Sequence, residues 1–295
     1  MGSKRIRLIV AAIAIVLVFA GCGGKEGAAT PVASGAAMAP SAVLSDGVYF
    51  AQEAGFNERT GWKYMVTLEV SDGKIVSAEW NGANRDGGTD KIERSKSGEY
   101  GMVANGGAMA PWFEQAEAAQ AYLLQTQDPT EITYSDDQGH TDAISGASIH
   151  VKEFFDLAET ALSDGPVGYG MWKDGQYHAE EAAFAEGNGW KYMTDITVIS
   201  GRIVAANWNG VHVDGGTDKK TRSMDGEYGM VANGGAQAPW FDQAMKAEAY
   251  LLETQDPTSI TYTDETGHTD AISGASIHVR EFFSLAEEAL AGAKR

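Results

Sequence analysis

Beyond residue 44 the apolar positions repeat with two periods, and each period predicts an element. Val66, Leu68 and Val70 alternate with polar residues, Ser71-Asp72-Gly73-Lys74 supplies a turn, and Val76, Ala78 and Trp80 alternate again, which predicts a β-hairpin. Trp112, Ala116, Ala119 and Leu123 then follow helical spacing, entered by Pro111 and stopped by Asp128-Pro129. A short strand is expected near Ile132-Thr133-Tyr134, and a last amphipathic helix carries Val151, Phe154, Phe155, Ala158 and Leu162. Strands and helices in one unit predict an α+β domain.

The whole pattern occurs twice. Gly98 to Ala108 recurs unchanged as Gly226 to Ala236, and Gly139 to Val151 as Gly267 to Val279. The offset is a constant 128 residues (276 − 148), so no insertion separates the copies. Ile196, Val198, the Ser200-Gly201 turn, Val204, Ala206 and Trp208 repeat the hairpin, and Pro239 to Asp256 repeats the first long helix. That period is too long for a stacked solenoid unit, so each copy is read as a whole small domain. The expected organisation is a leader at 1–22, a tether at 23–44, domain 1 at 45–164, a linker at 165–171 and domain 2 at 172–295.

The first residues carry a different pattern. Lys4, Arg5 and Arg7 precede an unbroken apolar run from Leu8 to Phe19, which ends in Ala20-Gly21-Cys22. The run is short for a membrane span, and small residues before a cysteine resemble a bacterial lipoprotein signal, with lipid on Cys22. A plain secretory signal or a short anchor with an incidental cysteine is the alternative. Cys22 is the only cysteine, which excludes an intramolecular disulfide. Gly23 to about Leu44 is rich in Gly, Ala, Ser and Pro and reads as a flexible tether. Formal net charge is −19, and losing the three leader cations makes it −22 (−19 − 3), which argues against nucleic acid as a partner.

Candidate chemistry concentrates before each last helix. Asp-Ala-Ile-Ser-Gly-Ala-Ser runs from Asp142 to Ser148 and from Asp270 to Ser276, with His140 and His268 two residues upstream. A small-residue turn entering a helix leaves free N–H groups and the positive end of the helix dipole, which suit a phosphate. Two other readings stay open on the residues alone: Ser145 or Ser148 as an ordinary helix N-cap, and a His140, Asp142, Ser148 hydrolytic triad.

The motif resembles the flavinylation sequence of the FMN-binding domain family, which includes flavin subunits of sodium-pumping and related respiratory complexes. The resemblance implies that a magnesium-dependent flavin transferase moves FMN from FAD onto the hydroxyls of Ser148 and Ser276 as phosphoesters. Asp142, Ser145, Gly146 and Ala147, with Asp270, Ser273, Gly274 and Ala275, match the rest of the motif, although threonine often holds the acceptor position. Asp86 to Lys91, Tyr100 to Ala108, Ala110-Pro111-Trp112 and Thr126 to Pro129 further resemble two-domain, pheromone-type flavin lipoproteins of extracellular electron transfer.

That resemblance implies a lipid-anchored carrier on the outer face of the cytoplasmic membrane or cell envelope, without catalytic residues of its own. It would relay electrons from a membrane donor to an extracellular acceptor or reductase. A surface ligand-binding or immunogenic lipoprotein without flavin is the alternative, and a true flavin reductase is a third. Met102, Asn105, Gly106 and Gly107, with Met230, Asn233, Gly234 and Gly235, form a Gly-rich loop expected against the ring. One tryptophan per domain is expected to stack on it, from Trp62, Trp80 and Trp112 or Trp190, Trp208 and Trp240. His150 and His278 are placed in the first turn of the final helix. Asp86 to Asp90 reads as a turn, and no metal site is expected. Asn84-Arg85 becomes His212-Val213 in the second copy, so the first flavin is expected at higher potential if Arg85 reaches it.

Overall fold

A computed structural model describes residues 43–295; Cys22, the leader and all of the tether before Val43 lie outside the described residues. The first repeat runs β1 (Gly47–Gln52), β2 (Trp62–Ser71), β3 (Lys74–Asn84), α1 (Lys91–Ser97), α2 (Trp112–Thr126) and α3 (Lys152–Asp164). The second repeats that order as β4 (Gly175–Glu180), β5 (Trp190–Ile199), β6 (Arg202–His212), α4 (Lys219–Met224), α5 (Trp240–Thr254) and α6 (Arg280–Ala289). Each lobe holds a three-stranded antiparallel sheet in sequential order, so the architecture is mixed α/β in two similar small units.

The hairpin turn follows from Asp72-Gly73, both at positive φ (52° and 71°), the geometry that matches strand twist in a two-residue loop. The phase of the following strand departs from simple alternation. A bulge at Glu69/Val70 pairs Val70 with Ile75, so Ile75 is buried while Val76 is 54% exposed, correcting the inward position expected for Val76. Two further differences are found. The chain at 132–134 forms no strand, because Thr133 O is taken by the Thr141 hydroxyl rather than by a sheet neighbour. The edge strands β1 and β4 and the short helices α1 and α4 carry too little periodic signal to be read from sequence.

One face of the first sheet, with Tyr49, Val66, Leu68 and Trp80, packs against Trp112 and Leu123 of α2 and Phe154 and Phe155 of α3. The equivalent residues build the second core. The other face of the first sheet is not solvated. Met65 and Ala83 meet Ile199, Val204 and Ala205 in a third apolar cluster between the lobes. Polar contacts surround that cluster: Thr67 and Ser200 hydroxyls lie 2.5 Å apart, and Thr197 Oγ1 donates to Gly88 O at 2.7 Å. The connecting segment is fixed as well, since Val167 N and Gly168 N both donate to Val48 O. The lobes thus pack through different parts of the same fold, a head-to-tail contact.

Candidate functional site

The motif segment lies ahead of α3, not at its first turn. The helix starts at Lys152 with Val151 as N-cap and no side-chain capping bond, so neither Ser145 nor Ser148 caps it. The same holds for α6, where Val279 is the N-cap. His150 and His278 precede the helices instead of lying in their first turns. The segment is held by other means. Thr141 Oγ1 accepts from Ala143 N and donates to Thr133 O, Ile144 is buried, and Gly146 takes φ 86°, where a side chain is strained.

Ser148 is exposed, and its backbone N–H and hydroxyl both donate to Gln115 Oε1, at 2.7 and 3.1 Å. Gln115 is 1% exposed on α2, and its Nε2 donates to Ala110 O at 2.9 Å. One buried amide therefore ties the motif serine to the Gly-rich loop. Gln243 does the same for Ser276, at 2.7 and 3.2 Å, and for Ala238 O at 2.9 Å. Sequence reasoning missed this glutamine. Its signal is position 115 between Trp112 and Ala116, on the buried stripe of the helix.

Beside Ser148 lies a cleft of about 280 Å³, walled by Tyr64, Tyr100, Met102, Trp112 and Ile149 and edged by His140, His150 and Glu153. Tyr64 and Trp112 are nearly parallel, 20° apart with centroids at 6.1 Å, and Tyr192 and Trp240 repeat this at 22° and 6.1 Å. At the mouth, the His140 and His150 rings are 4.4 Å apart, and those of His268 and His278 4.3 Å. His140 Nδ1 is 2.5 Å from Asp136 Oδ2, which holds the Asp136 carboxyl below its ordinary range. That pairing corrects the triad reading: the partner of His140 is Asp136 rather than Asp142, and the Ser148 hydroxyl goes to Gln115.

Two buried groups give the cleft its polarity. Glu153 Oε2 is buried without a hydrogen-bond partner, as is Glu281 Oε2 in the second lobe. Behind the aromatic wall, Lys91 is fully buried and donates to Tyr100 OH at 2.8 Å, and Lys219 donates to Tyr192 OH at 2.6 Å. Burial pushes both ammonium groups down to about 7, opposed by the charges of Glu153 and Glu53 or Glu281 and Glu181.

The remaining sequence candidates divide sharply. Met102 lines the cleft, whereas Gly106 N and Ala108 N turn back to Met102 O, so Asn105, Gly106 and Gly107 shape a tight turn and do not line it. Asn233, Gly234 and Gly235 form the same turn around Met230 O. Asp142, Ser145, Gly146, Asp270, Ser273 and Gly274 face solvent, while Ala147 and Ala275 pack on their cores. Of the first lobe's three tryptophans in question, Trp112 lines the cleft. Arg85 does not line it, because its Nη2 donates to Asn57 O at 2.7 Å, so the expected potential difference loses its premise. Asp86 to Asp90 is a turn, with Asp90 capping α1. Among the described residues no three His, Cys, Asp or Glu side chains form a metal-holding group, and no helix is long and apolar enough to cross a membrane.

The donor set fits FMN. An isoalloxazine needs flat apolar walls and few polar contacts at its edge, which Tyr64, Trp112 and Met102 with one unpartnered carboxylate supply. The Glu153 carboxylate, which lines the cleft, would accept from a ring N–H or a ribityl hydroxyl, and Ser148 offers an accessible oxygen at the cleft edge.

No protein-family model matches the chain, and no curated protein matches it. Among solved structures it is similar to a Clostridium thermocellum protein known from a solution NMR structure, at 58% identity over 41% of this chain and 92% of that one, with a TM-score of 0.34. It is also similar to a Clostridium perfringens protein known from a crystal structure, at 26% identity over 41% of this chain and 88% of that one, with a TM-score of 0.33.

Proposed function

We propose that this chain is an exported, lipid-anchored electron carrier holding two covalent FMN groups, one on Ser148 and one on Ser276. The observation that carries the reading is the setting of Ser148, an exposed residue with no capping role beside an aromatic cleft lined by Glu153, with the equivalent side chains repeated around Ser276. In the attachment step a flavin transferase supplies FAD. The serine oxygen bonds to the FMN phosphorus, the phosphoanhydride bond breaks, AMP leaves, and the hydroxyl proton passes to the transferase. Gln115 Oε1 orients that hydroxyl through the bond it accepts.

Covalent attachment suits an exported carrier, since a ring held by contacts alone would be lost to the surroundings at each opening of the cleft. Lipid on Cys22 and the tether would keep both lobes near a membrane donor, and an extracellular acceptor or reductase would receive the electrons. The N-cap reading of the motif serines does not hold, since Val151 and Val279 are the N-caps, and a surface lipoprotein without flavin is the opposite outcome of the test below. The test is co-production with a flavin transferase. Two flavins should survive denaturation; Ser148→Ala and Ser276→Ala should each remove one, and the double variant both. Motif peptides from native cells that carry no added mass would refute the proposal.

A further inference from the structure

We propose that Lys91 and Lys219 are redox-linked proton acceptors, each taking up one proton from solvent as the ring held in its own cleft takes up electrons. The inference rests on the flavin reading above and adds the residues that tune it.

The geometry is unusual for a lysine. Lys91 Nζ lies 4.0 to 5.2 Å from the ring centroids of Tyr100, Trp62, Tyr64 and Trp112. Lys219 Nζ lies 4.5 to 5.2 Å from those of Tyr228, Trp190, Tyr192 and Trp240. Among the described residues no carboxylate comes within 4.0 Å of either ammonium. Tyr64, Tyr100 and Trp112 are themselves cleft walls, so the amine stands one ring behind whatever the cleft holds.

The groups that face Lys91 are Glu53 beyond β1, Glu153 on α3, the phenols of Tyr64 and Tyr100, and Arg94, which stacks on Trp62. Burial raises both phenols, which keeps them neutral. Glu53 already accepts Tyr64 N. The amine is therefore poised between its two states by opposing forces, with desolvation against the ring faces and two carboxylates. Glu181, Glu281, Tyr192, Tyr228 and Arg222 stand in the same places around Lys219.

Charge balance sets the direction. Two electrons from an external reductant and one proton on the ring leave a net negative charge in a low-dielectric site. A proton from solvent then bonds to the neutral amine's lone pair and no bond breaks, so the site returns to neutrality. Above neutral pH the couple then takes two protons per two electrons, a hundredfold change in its equilibrium constant per pH unit, or about 60 mV. Where the lysine is already protonated the change is tenfold, about 30 mV.

The test uses the full chain carrying Ser276→Ala, so that only the Ser148 flavin is loaded. Its midpoint potential should fall with the steeper slope above neutral pH, and Lys91→Met should reduce that to the shallower one and lower the midpoint at pH 8 by at least tenfold in equilibrium constant. Nitrogen-15 NMR of the unsubstituted chain guards against a variant that fails to fold. Lys91 and Lys219 Nζ should titrate near neutrality with oxidised flavin and higher after dithionite reduction. Flavin present by mass with lysine titrations unmoved by reduction overturns this inference and leaves the proposed function standing. Flavin absent by mass overturns both.

Discussion

The two lobes carry the same side chains where they build the site, though Lys91 bonds the Tyr100 hydroxyl and Lys219 that of Tyr192, the counterpart of Tyr64, and they differ where they meet each other and the solvent. Gly98–Ala108 and Gly139–Val151 equal their counterparts residue for residue, and the serine, glutamine and histidine contacts agree within about 0.1 Å. Away from these segments the second lobe has acquired charge in its interior. Half-buried Lys220 pairs with buried Glu248 at 2.6 Å, and Glu248 Oε1 also accepts Trp208 N, where the first lobe has Ile92 and Gln120. One fold thus tolerates two solutions at the same place, an apolar and amide one and an ionic one. The contrast teaches that the ionic pair is replaceable only as a pair.

The largest effect expected from this comparison comes from splitting the pair. Lys220→Met leaves Glu248 buried without its cation and should cost about 3–5 kcal/mol in urea unfolding. The double change Lys220→Ile with Glu248→Gln restores the first lobe's residues at those two positions, though Asn207, whose Oδ1 also accepts from Lys220 Nζ, stands where the first lobe has Glu79, and it should recover most of the loss. Burial pushes the Glu248 pKa up in the folded state, so its contribution is present at low pH and lost as pH rises through the folded value. The Lys220→Met deficit should therefore shrink as pH falls and the carboxyl takes a proton. A double variant as unstable as Lys220→Met alone would mean that the two lobes do not share a core geometry here.

A second test concerns the contact between lobes. Gly87 and Gly215 sit at matching positions with φ 70° and 74°, so an alanine meets the same backbone strain in both. Their surroundings differ. A Cβ at Gly87 would lie 2.4 Å from Asp195 O across the lobe contact, while one at Gly215 meets nothing within 4 Å. Gly87→Ala should thus destabilise by roughly 1–3 kcal/mol more than Gly215→Ala. Equal effects would show that the lobes do not pack against each other in solution through this turn.

How much of this could be read in the sequence depends on how local the signal is. The hairpins and long helices show in their periods, because Val66, Leu68, Trp112 and Leu123 face one core from regular elements. The phase error at Val76 has a local cause that alternation cannot express, the bulge at Glu69/Val70. The burial of Met65 and Ala83 has no local signal, since the residues that cover them, Ile199 and Val204, are more than a hundred positions away. In the site, Ser148 and Ser276 were legible as a motif, and Gln115 was legible in principle from its helical position. The lysine cage was not, because its four rings come from β2, the Gly-rich loop and α2.

The smallest predicted effect separates the two acceptor turns themselves. Lys246 Nζ donates to Gly274 O at 3.2 Å, placing a cation on the turn that carries Ser276, whereas the first lobe has Ala118 there. On the proposed function, the incoming flavin phosphate is an anion approaching a chain of net charge −19, so this cation should favour Ser276. The side chain is exposed, which limits the advantage to below about 1 kcal/mol, or about fivefold in attachment rate. Peptide mass mapping over a time course should show Lys246→Ala slowing Ser276 to the rate of Ser148, and Ala118→Lys speeding Ser148. High salt should close the gap in the unsubstituted protein, because an exposed charge is screened within a few ångströms at molar ionic strength. A Ser276 to Ser148 ratio unmoved by both changes would assign Lys246 to holding the turn, and the two acceptors would then be equivalent despite their different neighbours.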